Sequence, residues 1–345
     1  MSKVMVAMSG GVDSSAALSL ILSSGYEAIG GTLSLLGEES PSIVGDARAV
    51  AERLGVEHFV FDFSENFRKE VIGRFIAAYE AGGTPNPCVY CNRFIKFGKL
   101  LEEAEKLGCS HLATGHYART GKDPESGRYL LKKAADPMKD QTYMLYGLSQ
   151  EQLSHVLFPL GDLTKSEARK IAAENGFANA DKPDSQDICF VPDGDYAGFI
   201  ERTTGKEYPG GDFLDADGKA VGRHKGIIHY TIGQRKHLGL SMGRPIFVSE
   251  IDPIKNTVTV SDEDALFSRE LTAHDINLIS LPAIEGELRV TAKTRYSHKE
   301  APATVIQTAE DELFVRFDEP QRAVTRGQAV VLYDGDTVVG GGTIV

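Results

Sequence analysis

The most constraining feature of this chain is the run Ser9-Gly10-Gly11-Val12-Asp13-Ser14, set between an apolar β-like stretch, VMVAMS at 4–9, and helical apolar spacing over 14–24. Strand, glycine turn and helix in that order aim successive backbone N–H groups and a helix dipole at one point, which makes an anion site at the end of the first strand. The two glycines allow backbone conformations and a closeness of approach that a Cβ would obstruct. Ser9 and Ser14 add hydroxyl donors, and Asp13 is suited to hold a magnesium ion. The run is not a Walker loop, since no Gly-Lys-Ser/Thr follows, and it lacks the dinucleotide-binding G-x-G-x-x-G. The alternative is a tight strand-to-helix turn that uses glycine and serine for geometry alone.

The same grammar continues through the first 200 residues. EAIGGTL (27–33), HFVFDF (58–63) and HLATG (111–115) read as further strands. Helices are predicted over 46–54 and 65–78, and over 93–107 from the apolar stripe Phe94, Phe97, Leu101 and Ala104. Thr164 and Glu167 have the spacing of a capping box that opens a helix at 165–175. Such alternation implies a parallel sheet covered on both faces. Past about residue 200 the segments are short, β-rich and separated by Gly, Pro and Asp turns, as in KGIIHYTI, PIFVSEI and TVTVS. From 271 onward LRVTAKTRY, ATVIQT, ELFVRF, AVVLYD and TVVGGGTIV suggest a small barrel or sandwich. The predicted division is an α/β domain at 1–200, a central β-rich module at 201–270 and a C-terminal β domain at 271–345.

Charge narrows the partners. A net charge of −12 argues against bulk attraction to nucleic acid, but exposed charges act only over about 8–10 Å, so a local patch is compatible with it. Between Lys219 and Ser249 there are six Lys or Arg and no Asp or Glu. No run approaches the ~18 apolar residues of a membrane span, and MSKVMVAMSGG lacks the form of a signal peptide. A cytoplasmic protein with no membrane partner is expected, its four cysteines present as thiols.

Three of those cysteines lie in loops suited to chemistry. Thr84-Pro-Asn-Pro-Cys88-Val-Tyr-Cys91-Asn-Arg93 is stiffened by two prolines, and Cys91 is expected at or just before a helix N-terminus, where the dipole lowers a thiol pKa. Cys189 follows Lys182-Pro-Asp-Ser-Gln-Asp-Ile in a surface-directed loop, whereas Cys109, in LGCSHLA, reads as a buried small hydrophobe. A structural zinc would need a fourth ligand beside Cys88, Cys91 and Cys189. Three unconnected core cysteines fit poorly with proline-rich, polar loops. An iron–sulfur cluster with one open iron, held by the three thiolates, stays open.

SGGVDS matches the motif of the PP-loop ATP pyrophosphatases, which split ATP into AMP and pyrophosphate to adenylate a substrate oxygen. Further segments follow in order: TPNPCVYCNRFIKFG (84–98), ATGHYAR (113–119), KDQTYMLY (139–146), FPLGDLTKSEAR (158–169) and DSQDICFV (184–191). HYTIGQRKHLGL (229–240), KTRYSH (293–298), DEPQRAVTRGQ (318–328) and GGGTI (340–344) complete the series. Together they resemble the tRNA-specific 2-thiouridylases nearly end to end. The resemblance implies an α/β, parallel-sheet PP-loop (adenine nucleotide alpha hydrolase-like) domain, then a small β-rich central module that binds tRNA and a C-terminal β-barrel.

It also implies a reaction. ATP adenylates the 2-carbonyl oxygen of the wobble uridine in tRNA, sulfur delivered as a persulfide replaces that oxygen, and AMP leaves. A carbonyl oxygen is a poor leaving group and AMP a good one, so the nucleotide site comes first. Carried over by motif, Cys189 bears the persulfide and Cys91 is the partner nucleophile, whose attack leaves a Cys91–Cys189 disulfide that needs reduction. ATP contacts are implied at Ala7, Met8, Ser9, Gly10, Gly11, Val12, Asp13 and Ser14, with Leu33 and Gly115. Asn86, Pro87 and Cys88 would frame the target base, while His116, Lys139, Asp140, Gln141, Arg295, Tyr296 and Gln328 would contact tRNA. A sulfur-carrier protein or a cysteine desulfurase would supply the persulfide.

Cys88 departs from the family pattern, because well-known members carry an aspartate there, taken as a general acid or base. The thiol titrates in its place, pairs with Cys91, or joins Cys91 and Cys189 as ligands of a [4Fe–4S] cluster. Asp187 stands where glycine is usual, and a carboxylate two residues from Cys189 tends to raise that thiol's pKa. Two other functions compete. A PP-loop ligase for a small molecule would need neither the cysteine pair nor the basic module, and a nonenzymatic binding protein would be expected to lose Asp13 or the thiols.

Overall fold

The computed structural model describes residues 2–37, 41–179 and 188–345. The chain opens with β1 (Lys3–Ala7), α1 (Val12–Ser23), β2 (Glu27–Ser34), α2 (Pro41–Arg53) and β3 (His58–Asp62). A helical run follows, made of α3 (Ser64–Phe67), a π-helical stretch Arg68–Ile72 and α4 (Gly73–Glu80). A second comprises α5 (Pro87–Tyr90), a π-helical stretch Cys91–Leu100 and α6 (Leu101–Lys106), and leads to β4 (His111–Ala113). After the hairpin β5 (Arg119–Lys122) and β6 (Tyr129–Lys132) come α7 (Thr142–Leu145), α8 (Gln150–Ser154), β7 (Val156–Leu157) and α9 (Lys165–Glu174).

The first sheet runs β3-β2-β1-β4-β7 with every pairing parallel. Alternating residues of β1 feed opposite layers, as the two-residue period of a strand requires. Val4 and Val6 pack with Leu18 and Ile21 of α1 and Val50 of α2, while Met5 packs on the other face with Phe75, Phe97 and Leu100. Strand order reverses at β1, with β2 on one side and β4 on the other. That reversal opens a crevice beyond the strands' carboxyl ends, where ligands of open α/β sheets bind.

The helix predicted at 93–107 begins six residues earlier, at Pro87. Asn86 caps it, its Oδ1 accepting from the Cys88 N–H at 3.2 Å, and Pro87 occupies the first turn. Asn-Pro is a start signal, because proline lacks only an N–H that is orphaned there anyway. The capping box at Thr164 and Glu167 is present as expected.

The chain then forms α10 (Tyr196–Thr204) and a four-stranded sheet from β8 (Asp212–Leu214), β9 (Ala220–Arg223), β10 (Phe247–Asp252) and β11 (Thr257–Ser261), in the order β10-β11-β8-β9. The last strands are β12 (Phe267–Leu278), β13 (Glu287–Lys293), β14 (Ala301–Ala309), β15 (Glu312–Arg322), β16 (Ala329–Asp334) and β17 (Thr337–Ile344). They close into a barrel through the β12–β17 pairing, around Val290, Val305, Val315, Phe317 and Leu332. The hairpin β5–β6 extends this sheet, pairing with β17 at Lys132 and Thr337, so the N-terminal region contributes strands to the C-terminal layer. No helix among the described residues is long and apolar enough to cross a membrane.

Candidate active site

The glycine turn sits at the end of β1 and is held in place from several sides. Gly10 has φ +69°, and a Cβ there would lie 2.8 Å from the Ile43 carbonyl oxygen, so both conformation and space demand glycine. The Ser9 N–H donates to Ser14 Oγ at 3.2 Å, and Ser14 Oγ donates to the Gly11 carbonyl at 3.1 Å. Asn179 Nδ2 donates to the Gly10 carbonyl at 2.9 Å and to Ser15 Oγ at 3.0 Å. Ala7 and Leu33 lie near the ends of neighbouring strands, and Thr32 Oγ1 donates to the carbonyl of buried Met8 at 2.9 Å. Val12 opens α1 and is buried.

Gly115, just past β4, lies flush against this turn. A Cβ there would stand 2.7 Å from the Asp13 carbonyl carbon and 2.8 Å from the Ser14 nitrogen. Gly115→Ala is therefore expected to push the β4 loop off the turn, weakening nucleotide binding roughly tenfold and destabilising the fold by about 1–3 kcal/mol. Nucleotide titration with a thermal melt checks this, and unchanged affinity would mean the loop does not cradle the ligand.

Asp13 is engaged by other side chains. Both of its carboxylate oxygens accept from Lys165 Nζ at 2.8 Å, and Oδ1 also accepts from the Tyr117 hydroxyl at 2.8 Å. Lys165 is the first residue of α9, with its side chain 13% exposed. Gln141 fixes Tyr117 in turn: the Tyr117 N–H donates to Gln141 Oε1 at 2.9 Å, and the Gln141 N–H donates to the Tyr117 carbonyl at 3.0 Å. Asp13, the residue expected to hold magnesium, thus carries an ammonium and a phenol on its oxygens. Lys165 and Asn179 are functional candidates that sequence reasoning missed.

Cys88 and Cys91 lie near the start of the helix that begins at Pro87, and Cys189 approaches from the segment anchored by Phe190. The Phe190 ring meets Phe67 at 5.7 Å and Phe75 at 5.2 Å, both edge-on. Burial of one phenylalanine contributes about 1.5–3 kcal/mol, enough to hold the adjacent residue against the α3–α4 run. Cys189 is exposed, Cys88 half-buried and Cys91 buried. The three thiols and Lys96 feel one another electrostatically. With the helix starting at Pro87, Cys91 falls beyond its first turn, which corrects the expectation of a dipole-lowered thiol. Burial pushes Cys91 up to about 12, Lys96 draws it down, and Cys189 and Cys88 add to the rise. Protein packed behind Cys189 raises that thiol too, as burial raises Cys88, with Lys96 opposing in both cases. Cys109 is buried, as expected.

Among the described residues, no three His, Cys, Asp or Glu side chains converge as a metal-ligand group. The arrangement of Cys88, Cys91 and Cys189 therefore does not support the [4Fe–4S] or zinc alternatives. Asp187 lies outside the described residues.

Several side chains expected to touch tRNA form hydrogen bonds within the protein. Gln328 Nε2 donates to the Thr84 carbonyl at 2.6 Å, clamping the segment before Asn86 to the barrel. Asp140 accepts from the Ala134 N–H at 3.0 Å and the Thr142 hydroxyl at 2.7 Å. The Arg295 guanidinium donates to the carbonyls of Ile232 at 3.1 Å and Ala323 at 3.0 Å, joining the central module to the barrel. His116 lies against Phe97 and Phe158, and burial holds its pKa well below the usual range, with Lys96 lowering it further. A neutral imidazole is a poor partner for phosphate. Lys139 is half-buried, whereas Tyr296 is 38% exposed and its ring lies 5.7 Å from Lys293 Nζ. The basic stretch divides as well. Arg223 and Arg244 pair with Asp212 and Asp262, each at 2.8 Å, while Arg235 and Lys236 are exposed and have no ion pair among the described residues.

A glycine-serine turn after the first strand, at the switch point of a β3-β2-β1-β4 parallel sheet, defines a nucleotide-binding protein of the PP-loop class. The sequence matches the families described as tRNA methyl transferase HUP domain over residues 2–193, tRNA methyl transferase PRC-barrel domain over 197–262 and aminomethyltransferase beta-barrel domain over 268–344. It is 50% identical to the tRNA-specific 2-thiouridylase MnmA of Clostridioides difficile, covering 99% of this chain and 98% of the relative. The 2-thiouridylases of Acetivibrio thermocellus and Moorella thermoacetica are each 51% identical, covering 99% of this chain and 99% and 98% of the relatives. The chain belongs to the tRNA-specific 2-thiouridylase family.

Proposed function

We propose that this protein replaces the 2-oxygen of the wobble uridine in tRNA by sulfur, with ATP as the activating substrate. The observation that carries the reading is a continuous link between the two halves of the chemistry. Gly115 touches the nucleotide turn, and the next residue, His116, sets its ring 5.8 Å from that of Phe97, on the helical run that carries Cys88 and Cys91. Activation and sulfur transfer can then act on one base without its release.

In this reading ATP lies against Ala7–Ser14, Leu33 and Gly115, where turn N–H groups and the Lys165 ammonium offset phosphate charge. Magnesium accompanies ATP, with no step assigned to it. The uridine O2 attacks the α-phosphorus, pyrophosphate leaves, and the base carries AMP on oxygen. A sulfur-carrier protein or a cysteine desulfurase loads Cys189 as a persulfide, which suits the exposure of that side chain. The Cys91 thiolate attacks the inner sulfur of the persulfide and hydrosulfide departs. Hydrosulfide adds at C2, AMP leaves with the former O2, and a proton passes to solvent. A thiol reductant then opens the Cys91–Cys189 disulfide. Asn86, Pro87 and Cys88 frame the base, and Tyr296 offers a stacking surface for it. The division at 1–200, 201–270 and 271–345 belongs to the same reading, with tRNA binding assigned chiefly to the central module.

Pyrophosphate release tests it. Release that requires tRNA is expected; release with a small molecule and no tRNA would point to a ligase, and no release to a binding protein. Replacing Arg235 and Lys236 by alanine should weaken tRNA binding and reduce the slope of log affinity against log salt by about 1–2. An unchanged affinity across a salt series would mean the basic loop is a solvated face.

A further inference from the structure

We propose that Cys88 is a resolving thiol, which takes Cys91 out of the Cys91–Cys189 disulfide after each turnover and so frees Cys189 for the next persulfide. The inference rests on the thiolation reading above and gives Cys88 a role in the sulfur cycle.

Three observations carry it. Cys88 and Cys91 are three residues apart on one helix, a spacing that makes their side chains neighbours. They lie in a Cys-x-x-Cys pattern near a helix N-terminus, the setting in which such pairs cycle between dithiol and disulfide. Phe190, the neighbour of Cys189, belongs to the same buried apolar cluster as Cys91, and the electrostatic influence of Cys88 on Cys189, and of both on Cys91, accords with that placement. Access differs sharply along the trio: Cys91 is 8% exposed, Cys88 half-buried and Cys189 open.

That gradient decides which exchange is productive. An external reductant cannot reach the Cys91 sulfur, so it would attack Cys189 and leave the persulfide carrier blocked as a mixed disulfide. Attack from Cys88 on the Cys91 sulfur expels Cys189 instead, the one of the three thiols open at the surface for reloading. Lys96 lowers the pKa of all three thiols, which favours the thiolate that attacks and the thiolate that leaves.

The exchange balances without an oxidant. The Cys88 thiol gives its proton to solvent, its sulfur bonds to Cys91 Sγ, the Cys91–Cys189 bond breaks, and the electron pair goes to Cys189 Sγ. An external dithiol then supplies two electrons and two protons to the Cys88–Cys91 disulfide.

Quenched-flow peptide mapping of the full-length protein tests the proposal. Wild type is mixed with a persulfide donor, ATP and tRNA, without reductant, then acid-quenched and alkylated at intervals. A Cys91–Cys189 link should form first and give way to a Cys88–Cys91 link with Cys189 alkylated. In Cys88→Ser the first link should persist, and turnovers after the first should slow about tenfold or more with a dithiol present. Wild type that keeps the Cys91–Cys189 link and never forms the Cys88–Cys91 link would overturn the proposal alone. So would a Cys88→Ser protein that clears the first link at the wild-type rate. The wild-type time course stands without the variant should serine at 88 impair folding. Formation of 2-thiouridine with no disulfide of either kind would overturn the thiol cycle itself, and the proposal with it.

Discussion

Cys189→Ser is expected to lower 2-thiouridine formation by roughly a thousandfold or more, the scale of losing a covalent nucleophile, with tRNA affinity unchanged. A hydroxyl cannot carry sulfane sulfur, so the sulfur has no route to the base. The side chain is exposed, and its replacement opens no cavity and strands no buried group. Loss of activity in a protein that melts normally therefore reports chemistry. Cys91→Ser should abolish turnover equally, but there the new hydroxyl is buried, and an unpaired one costs about 1–3 kcal/mol. Nucleoside analysis of the product tRNA, with filter binding and a melt on each variant, separates the two effects. Full thiolation by either variant would remove that residue from the cycle.

Lys165→Met should be nearly as severe for a different reason. Removing the ammonium takes away a cation beside the nucleotide turn, worth roughly a hundredfold to a thousandfold when aimed at developing charge. It also leaves the Asp13 carboxylate with the Tyr117 hydroxyl at 2.8 Å but without its cation, and breaking a largely buried pair costs about 3–5 kcal/mol. Adding Asp13→Asn to Lys165→Met removes the stranded charge, so the double variant should recover part of the lost melting temperature. Pyrophosphate release should stay low in both. If release recovers along with the melt, Lys165 serves the fold and not the reaction.

These two residues mark what was and was not legible in the chain. SGGVDS, the strand-helix alternation and the capping box at Thr164 are local patterns, and each appears where periodicity and turn chemistry place it. The start of the second long helix was misplaced, because Pro85 and Pro87 read as loop stiffeners while Asn86-Pro87 is in fact a cap and first turn. That shift moves Cys91 from the helix end into a buried setting and reverses the expected direction of its pKa. Lys165 meets Asp13 across 152 positions and Tyr117 meets it across 104, so no window of sequence contains the triad. Motif membership marked Gln328, Asp140 and Arg295 as important without saying whether each touches ligand or holds the protein that does. Their hydrogen bonds show that each braces the protein's own backbone. The β5–β6 hairpin escaped for the same reason, since its partner strand β17 lies some 200 residues away.

The most direct test of the central claim is a single turnover from enzyme loaded with persulfide, mixed with tRNA and ATP and followed for all three products. One 2-thiouridine should appear for each AMP and each pyrophosphate, with none formed when ATP is omitted or when Cys189 is serine. Thiolation without AMP release, or AMP and pyrophosphate release that proceeds without tRNA, would contradict it.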